Sequence, residues 1–418
     1  MSNALKLGDV AVVKGGSGFP EKYQGGSHGL PFIKVSDMNL PGNQRYIWKS
    51  NNYLNTTVYN LLRPTVFPRD TVVFAKVGAA VYLNKRRILT EDTAIDNNLM
   101  GVTATAIEPL FLYYLLQSID LAEWVQPGAL PSINQTIIED LPIPITDRKQ
   151  QRYISEVLNA VDNQIDATQA LIDKYTAIKQ GVMADLFSRG IDPETKALRP
   201  TFEEAPELYY KTPLGILPKG WDIAPFEQLS EVIDPNPSHR YPDSVSIDGV
   251  PIASTENFEG TDGFNLVKSK LVPDSEFEKQ FERCKYQKDD VIFARKGRIG
   301  FARQYGDAKK VFSHTVVVMK AKAGVSQDFL LWLARSTQYL EAIDFKMNSN
   351  SGVPTLGVDV IKRVRVAVPS VEEQQDIAKC LNQINKKIHT ELAFLAKTKA
   401  QKSGLMQDLL TGKVPVAA

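Results

Sequence analysis

Positive charge clusters twice, each time after the same kind of strand-like run. Lys76 lies in DTVVFAKVG, which starts at Asp70, and Lys85, Arg86 and Arg87 follow it; Arg295 and Lys296 lie in DDVIFARKG, which starts at Asp289, and Arg298 and Arg303 follow, with Lys309 and Lys310 beyond. Both stretches include glycine, and Tyr82, Phe301 and Tyr305 lie nearby. Ammonium and guanidinium groups on an exposed loop of this kind could approach a phosphate backbone. A solvated charged loop has the same composition, so charge alone leaves both readings open.

Constellations for covalent or metal chemistry are weaker. There is no GxxxxGK[ST] phosphate loop and no GxGxxG opening a helix; GGSGF at Gly15 is a turn-like cluster without the third glycine. DPNPSH at Asp234 has the first proline of an Asp/Asn-Pro-Pro-aromatic amino-methylation motif, but its second proline is displaced and no aromatic follows. PETK at Pro193 holds a Glu-x-Lys pair without the strand-borne aspartate a metal nuclease would need, and reads as solvated charge. His28, His239, His314 and His389 show no ligand spacing, and Cys284 and Cys380 have no second pair. No cofactor or metal site is expected.

The 418 residues suffice for two or three domains, and 43% hydrophobic with 23% charged residues is an ordinary globular composition. A net charge of +1 means that any basic surface is local and balanced elsewhere. No apolar run approaches the roughly 18 residues that span a bilayer, and MSNALKLGDV has no signal pattern, so a cytoplasmic protein without membrane contact is expected.

The elements that must carry the basic loops are written twice. KQGVMADLF at Lys179 returns as KSGLMQDLL at Lys402, 223 residues later, and at that offset Pro131 meets Pro354, Ile154 meets Ile377 and Ile165 meets Ile388. With slight drift GLPFIKV at Gly29 matches GVPIAST at Gly249, and FLYYLLQS at Phe111 matches FLLWLARS at Phe329. Each copy opens with β-branched runs punctuated by Gly, Pro, Asn and Asp, read as strands and turns, plus one helical segment, Phe111 to Trp124 or Phe329 to Phe345, read as a buried core helix.

From about Asp147 and again from about Ser370 the pattern changes to steps of three and four. The seams are Ile154, Leu158, Val161, Ile165, Thr168, Ile172, Tyr175, Lys179, Val182, Leu186, and Ile377, Leu381, Ile384, Ile388, Glu391, Leu395, Thr398, Lys402, Leu405, Leu409. Two helices of about 60 Å are predicted, pairing antiparallel along narrow apolar stripes and placing similar heads at opposite ends; the alternative is that each helix lies on its own head. The expected fold class is α+β, with two pseudo-repeated α/β globular domains separated by two long helices in an antiparallel coiled coil. The expected boundaries are 1–146 for the first head, 147–189 for the first helix, 190–219 for a Pro-rich linker, 220–368 for the second head and 369–412 for the second helix, with a tail to 418.

LPIPI at Leu141 with KQQRYISEVLNAVDNQI at Lys149, its second form VRVAVPSVEEQQDIAKCLNQINKKI at Val364, the closing K-x-G-x-M-x-D-L of both copies, and YYKTPLGILPKGW at Tyr209 carry a resemblance. Together they resemble the specificity subunit of type I restriction-modification enzymes over essentially the whole chain. The resemblance implies two target-recognition domains, each reading half of a split target in double-stranded DNA. It also implies no catalysis by the chain itself, and helices that act as a ruler and as docking surface for two methyltransferase subunits, with restriction and translocase subunits joining. On that view Lys179, Met183, Lys402 and Met406 recur because two equivalent partners meet the same helix-end surface. Core packing is the alternative, since Val182, Leu186, Leu405 and Leu409 lie on the seam and both methionines fall just beside it. The copies also differ: the first has KQQ where the second has EQQ, and it lacks the G-x-LPKGW stretch. A two-headed scaffold binding protein or RNA is the competing class.

Overall fold

The computed structural model describes residues 5–126, 131–144, 147–344 and 355–411. The chain forms two compact units, residues 1–170 with 392–418, and residues 171–391.

In the first unit a five-stranded sheet runs in the order Ala11–Gly15, Leu99–Ala104, Val72–Ala75, Arg86–Leu89, Tyr46–Ile47. Its centre is Val72–Ala75, whose four side chains are all buried, as a run of β-branched and aromatic residues covered on both faces should be. Antiparallel pairing sets Leu99 opposite Ala75 and Val102 opposite Val72. A smaller four-stranded sheet is built around Leu30–Ile33 and Thr93–Ile95. The helix Pro109–Ser118 buries six consecutive side chains, Phe111 to Leu116. It stops short of the predicted end at Trp124, because Asp120 turns its carboxylate to the N–H of Ala122 and starts a separate short turn, Leu121–Trp124.

The second unit repeats this plan. Ser230–Ile233, Val316–Ala321, Val291–Ala294 and Ala302–Gln304 form a sheet in that order, with Val316 opposite Ala294 and Met319 opposite Val291, the register of the first unit. A three-stranded sheet centred on Val250–Ala253 stands beside it. The predicted helix Phe329 to Phe345 is two helices, Gln327–Arg335 and Thr337–Asp344. Ser336 breaks it, its hydroxyl donating back to the Leu333 carbonyl and accepting from the Tyr339 N–H.

The first long helix is Arg148–Ser188 and the second Val371–Leu410. Each begins at a polar cap: Asp147 accepts from the N–H groups of Lys149 and Gln150, and Ser370 from that of Glu373. Pairing is antiparallel within each unit. In the first, Leu405, Leu409 and Leu410 join the core that holds Leu158 and Ile154, and Lys402 meets Asp162 at 2.7 Å. In the second, Val182, Leu186 and Phe187 pack with Leu381 and Ile377, and Lys179 donates to Asn385 at 3.0 Å. Every residue of both predicted seams is buried or half-buried. The fold is thus α+β, with duplicated heads and two long helices paired as an antiparallel coiled coil.

The linker carries structure that its lack of periodicity hid. It contains a hairpin of Tyr209–Thr212 with Gly215–Pro218, and it closes on the start of the second long helix. The Glu373 carboxylate, 2% exposed, accepts from Arg199 through both oxygens, from Trp221 Nε1 at 3.0 Å and from the Ile191 N–H at 2.9 Å. Gly190, at φ +67°, lies so close that a Cβ there would stand 2.0 Å from Glu373 Oε1. Glu373→Ala leaves the buried Arg199 cation unpaired, so a loss of about 3–5 kcal/mol is expected, read as a lower urea midpoint with an unchanged slope.

Candidate nucleic-acid interface

The eight cations of the basic loops divide by what they touch. Arg86 is 2% exposed and donates to the Ile119 and Asn84 carbonyls, and burial lowers its pKa to about 10. Arg303 is fully buried, lies 3.9 Å over the Phe258 ring and donates to the carbonyls of Glu259, Gly260 and Gly263. Burial, and then neighbouring Arg335, lower its pKa to about 10 as well. Arg87 donates to the Met38 carbonyl from two nitrogens. Arg87 faces Val73 across the sheet as Arg303 faces Ile292, so both copies use an arginine to hold a neighbouring loop by its backbone. Arg295 is 5% exposed and ion-paired to Asp234 at 2.9 Å.

These positions correct the reading of an exposed phosphate-binding cluster: Arg86, Arg295 and Arg303 are interior side chains. A guanidinium offers five donors in a fixed fork, which suits it to gathering carbonyls inside a loop-rich head. Five cations remain nearer the surface, Arg87 among them. Lys85 donates to Asn39 at 2.5 Å, and exposed Arg298 donates to the Phe258 carbonyl at 3.2 Å. Among the described residues the ammonium groups of half-buried Lys76 and Lys296 have no acid partner. Trp48 and Tyr82 in the first head and Phe301 and Tyr241 in the second are among the exposed large rings.

The repeated K-x-G-x-M-x-D-L phrase also has an interior explanation. Lys402 lies 5.4 Å over the Tyr114 ring, donates to Gln117 at 3.0 Å and pairs with Asp162, which in turn accepts from the Tyr114 hydroxyl at 2.9 Å. In the other unit Lys179 lies 5.8 Å over the Trp332 ring and donates to Asn385, while Trp332 Nε1 donates to Asn382. Burial, and then Arg335, lower the Lys179 pKa. Met183 and Met406, half-buried, pack against the two cores. The four residues expected on a partner surface are therefore occupied in fastening the returning helix to the head, because the seam that repeats is the seam that packs.

Each head also grips the start of its own long helix. Arg45 donates to Asn159 and Asn163, pairs with Asp166 at 3.0 Å and lies 3.8 Å from Asp162. At the matching place in the second head stands an acid, Asp262, which accepts from Arg335, from Asn385 at 2.9 Å and contacts His389 Nε2. Burial alone would raise the Asp262 pKa; the Arg335 charge and the hydrogen bonds from Asn385, Arg335 and His389 outweigh it and hold it to about 2. Sequence reading missed this pair because the latch residues are far apart in the chain and opposite in charge. It also missed the glutamines: Gln151 accepts from the Glu108 N–H and Gln374 from the Ser326 N–H, each at 3.0 Å, satisfying the start of the core helix. The shared QQ of both copies was the available signal.

A duplicated head fastened to paired helices, with different side chains on its loops, defines a two-headed scaffold. The profile of the type I restriction modification DNA specificity domain matches residues 2–176 and 245–395. The chain belongs to that family, whose role is DNA recognition and not catalysis. It is 21% identical over 322 residues to the type I restriction enzyme MjaVIII specificity subunit of Methanocaldococcus jannaschii, covering 74% of this chain and 71% of that one. It is 20% identical over 465 residues to the Escherichia coli type I restriction enzyme EcoBI specificity subunit, covering 99% and 90%. The crystal structure of a type I restriction-modification S subunit from M. genitalium shares the fold, with a TM-score of 0.61 at 13% identity over 100% of this chain and 98% of that one. Among the described residues no helix is long and apolar enough to cross a membrane.

Two outcomes follow from these placements. Arg87→Ala or Arg303→Ala should each lower stability by about 1–3 kcal/mol in urea melts, since buried carbonyls lose their donor. For Asp262 the folded pKa lies below the ordinary 3.8. Its contribution of about 2 kcal/mol is therefore fully present above that value and is lost as pH falls towards 2. Asp262→Asn should flatten the acid limb of a stability-against-pH curve.

Proposed function

We propose that the chain reads a bipartite sequence in double-stranded DNA, one half-site per head, and positions two methyltransferase subunits and the restriction and translocase subunits of a cytoplasmic type I system. The observation that carries this reading is the duplication itself: one head, one register and one mode of fastening occur twice, while the loops differ. Lys76 and Lys296, half-buried and without an acid partner among the described residues, stand at related loops and supply the phosphate contacts of the two heads. The long helices serve as ruler and docking surface. Tyr153 and Ile178 on the first and Leu392 and Phe394 on the second keep more than a third of their surface exposed, which suits an apolar partner contact.

Binding of the subunit complex to duplex DNA should be salt-sensitive. Lys76→Ala with Lys296→Ala should lower the slope of log affinity against log salt by about 2, without changing base preference. The ruler is tested by length. Seven residues inserted after Ala170 and after Ala393 keep the heptad phase and add about 10 Å to each helix. On a library of spacer lengths, methylation by the reconstituted enzyme should then prefer a gap longer by roughly three base pairs. Activity that stays at the original spacing would show that the helices do not set the distance.

A further inference from the structure

The DPNPSH stretch, which no motif explains, builds a small and ordered group on the second head. It follows the strand Ser230–Ile233, at the place where GGSGFP begins on the last residue of the strand Ala11–Gly15 in the first head. Asn236 folds the loop on itself, accepting from Ser238 Oγ and donating to the Arg240 carbonyl, both at 2.8 Å, and its own carbonyl accepts from the His239 N–H. The loop thereby holds His239 at φ 56°, a left-handed backbone uncommon for non-glycine residues, which histidine tolerates better than most. The His239 ring stacks on His314 at 5.2 Å, and Tyr241 meets His314 edge-on at 5.9 Å.

Two charged groups hold one edge of that ring. Arg295 Nη2 lies 3.2 Å from His239 Nε2 and 2.9 Å from the Asp234 carboxylate, which itself lies 3.6 Å from Nε2. The ring remains 57% exposed. The outcome is an exposed imidazole of set plane, supported from behind by an ion pair and from the side by a stacked ring. The first head has nothing comparable: its Gly15 and Gly16 carry no side chain, and Lys76 Nζ lies 2.7 Å from where a Gly15 Cβ would be.

We infer that His239 reads a base edge in the half-site of the second head, with Arg295 and Asp234 as positioning residues. This rests on the DNA-reading function proposed above. Phosphate contacts are carried mainly by flexible cations, but Arg295 is turned inward against Asp234, and the exposed side chains of the loop include the His239 imidazole beside Arg240. An imidazole both donates and accepts, so the matching chemistry is a polar base edge in the major groove. Pre-organisation of this kind supports discrimination between bases more than bulk affinity.

The test selects from duplexes randomised in both half-sites, using the full chain assembled with its methyltransferase subunits. His239→Gly suits the left-handed backbone and deletes the ring; Arg295→Met with Asp234→Asn keeps the ring but frees its orientation. Both variants should relax preference at the same one or two base positions of one half-site, by about 10- to 100-fold for His239→Gly and less for the double variant, with the other half-site unchanged. An unchanged profile, or a uniform weakening across all sequences with a smaller salt slope, overturns the inference. Should the unmodified complex select no bipartite sequence, the DNA-reading function itself fails, and that result is distinct from either.

Discussion

The structure depends on a lysine held between an aromatic ring of the head and a polar side chain on the neighbouring helix. Lys402 sits over Tyr114 and against Asp162; Lys179 sits over Trp332 and against Asn385. A lysine stem is long enough to cover apolar surface while its ammonium reaches a ring face and an oxygen together. Three elements meet at that point in each unit: the core helix of the head, the long helix that leaves the head, and the long helix that returns. Seam packing fixes how the two helices lie along each other, and this contact ties their pairing to the head. Head and helix pair are consequently ordered together.

Much of this was legible in the sequence. The offset of 223 residues gave away the duplication, and the alternation of three and four marked both long helices to within a residue or two of the caps at Asp147 and Ser370. Burial of the cations was not legible, since Arg86, Arg295 and Arg303 lie in stretches whose composition suits a solvated loop equally well. What decides their place is the geometry of carbonyls and carboxylates contributed from distant segments, Ile119, Gly263 and Asp234 among them. A local pattern carries no information about such partners. Recurrence of the methionines does not separate packing from docking: recurrence at a fixed offset marks equivalence, and packing repeats under duplication as faithfully as any docking surface.

The two copies have diverged unevenly. Sheet register, the Gln151 and Gln374 contacts and the lysine anchors are kept, although Asp162 has become Asn385 and Tyr114 has become Trp332. The latches onto the long helices differ in chemistry: Arg45 pairs with Asp166 on the helix in one unit, whereas Asp262 pairs with Arg335 of its own head and reaches the helix through Asn385 and His389 in the other. The helix side can change from acids to an amide and an imidazole because each still offers the head residue a polar partner. Both arrangements close the same gap, so each head keeps its seat while its side chains drift.

The same logic bears on how a recognition protein changes its target. Residues that hold a head together look inward, to carbonyls of its own loops or to the paired helices, and most contacts of the buried arginines are of this kind. The loop after the first sheet strand is bound by no such requirement. It is glycine-rich in one head and a proline-braced platform for His239 in the other, with Asp234 standing where Gly15 stands. Arg295 is the exception, since it faces inward to Asp234 and yet sets the outward ring, and its counterpart Lys76 lies at the same place beside a glycine with no acid to hold it. Changing that single pair alters what the loop presents without disturbing the sheet beneath it. These loops can therefore diverge between the heads at a much smaller cost in stability than any change to the helix anchors would carry.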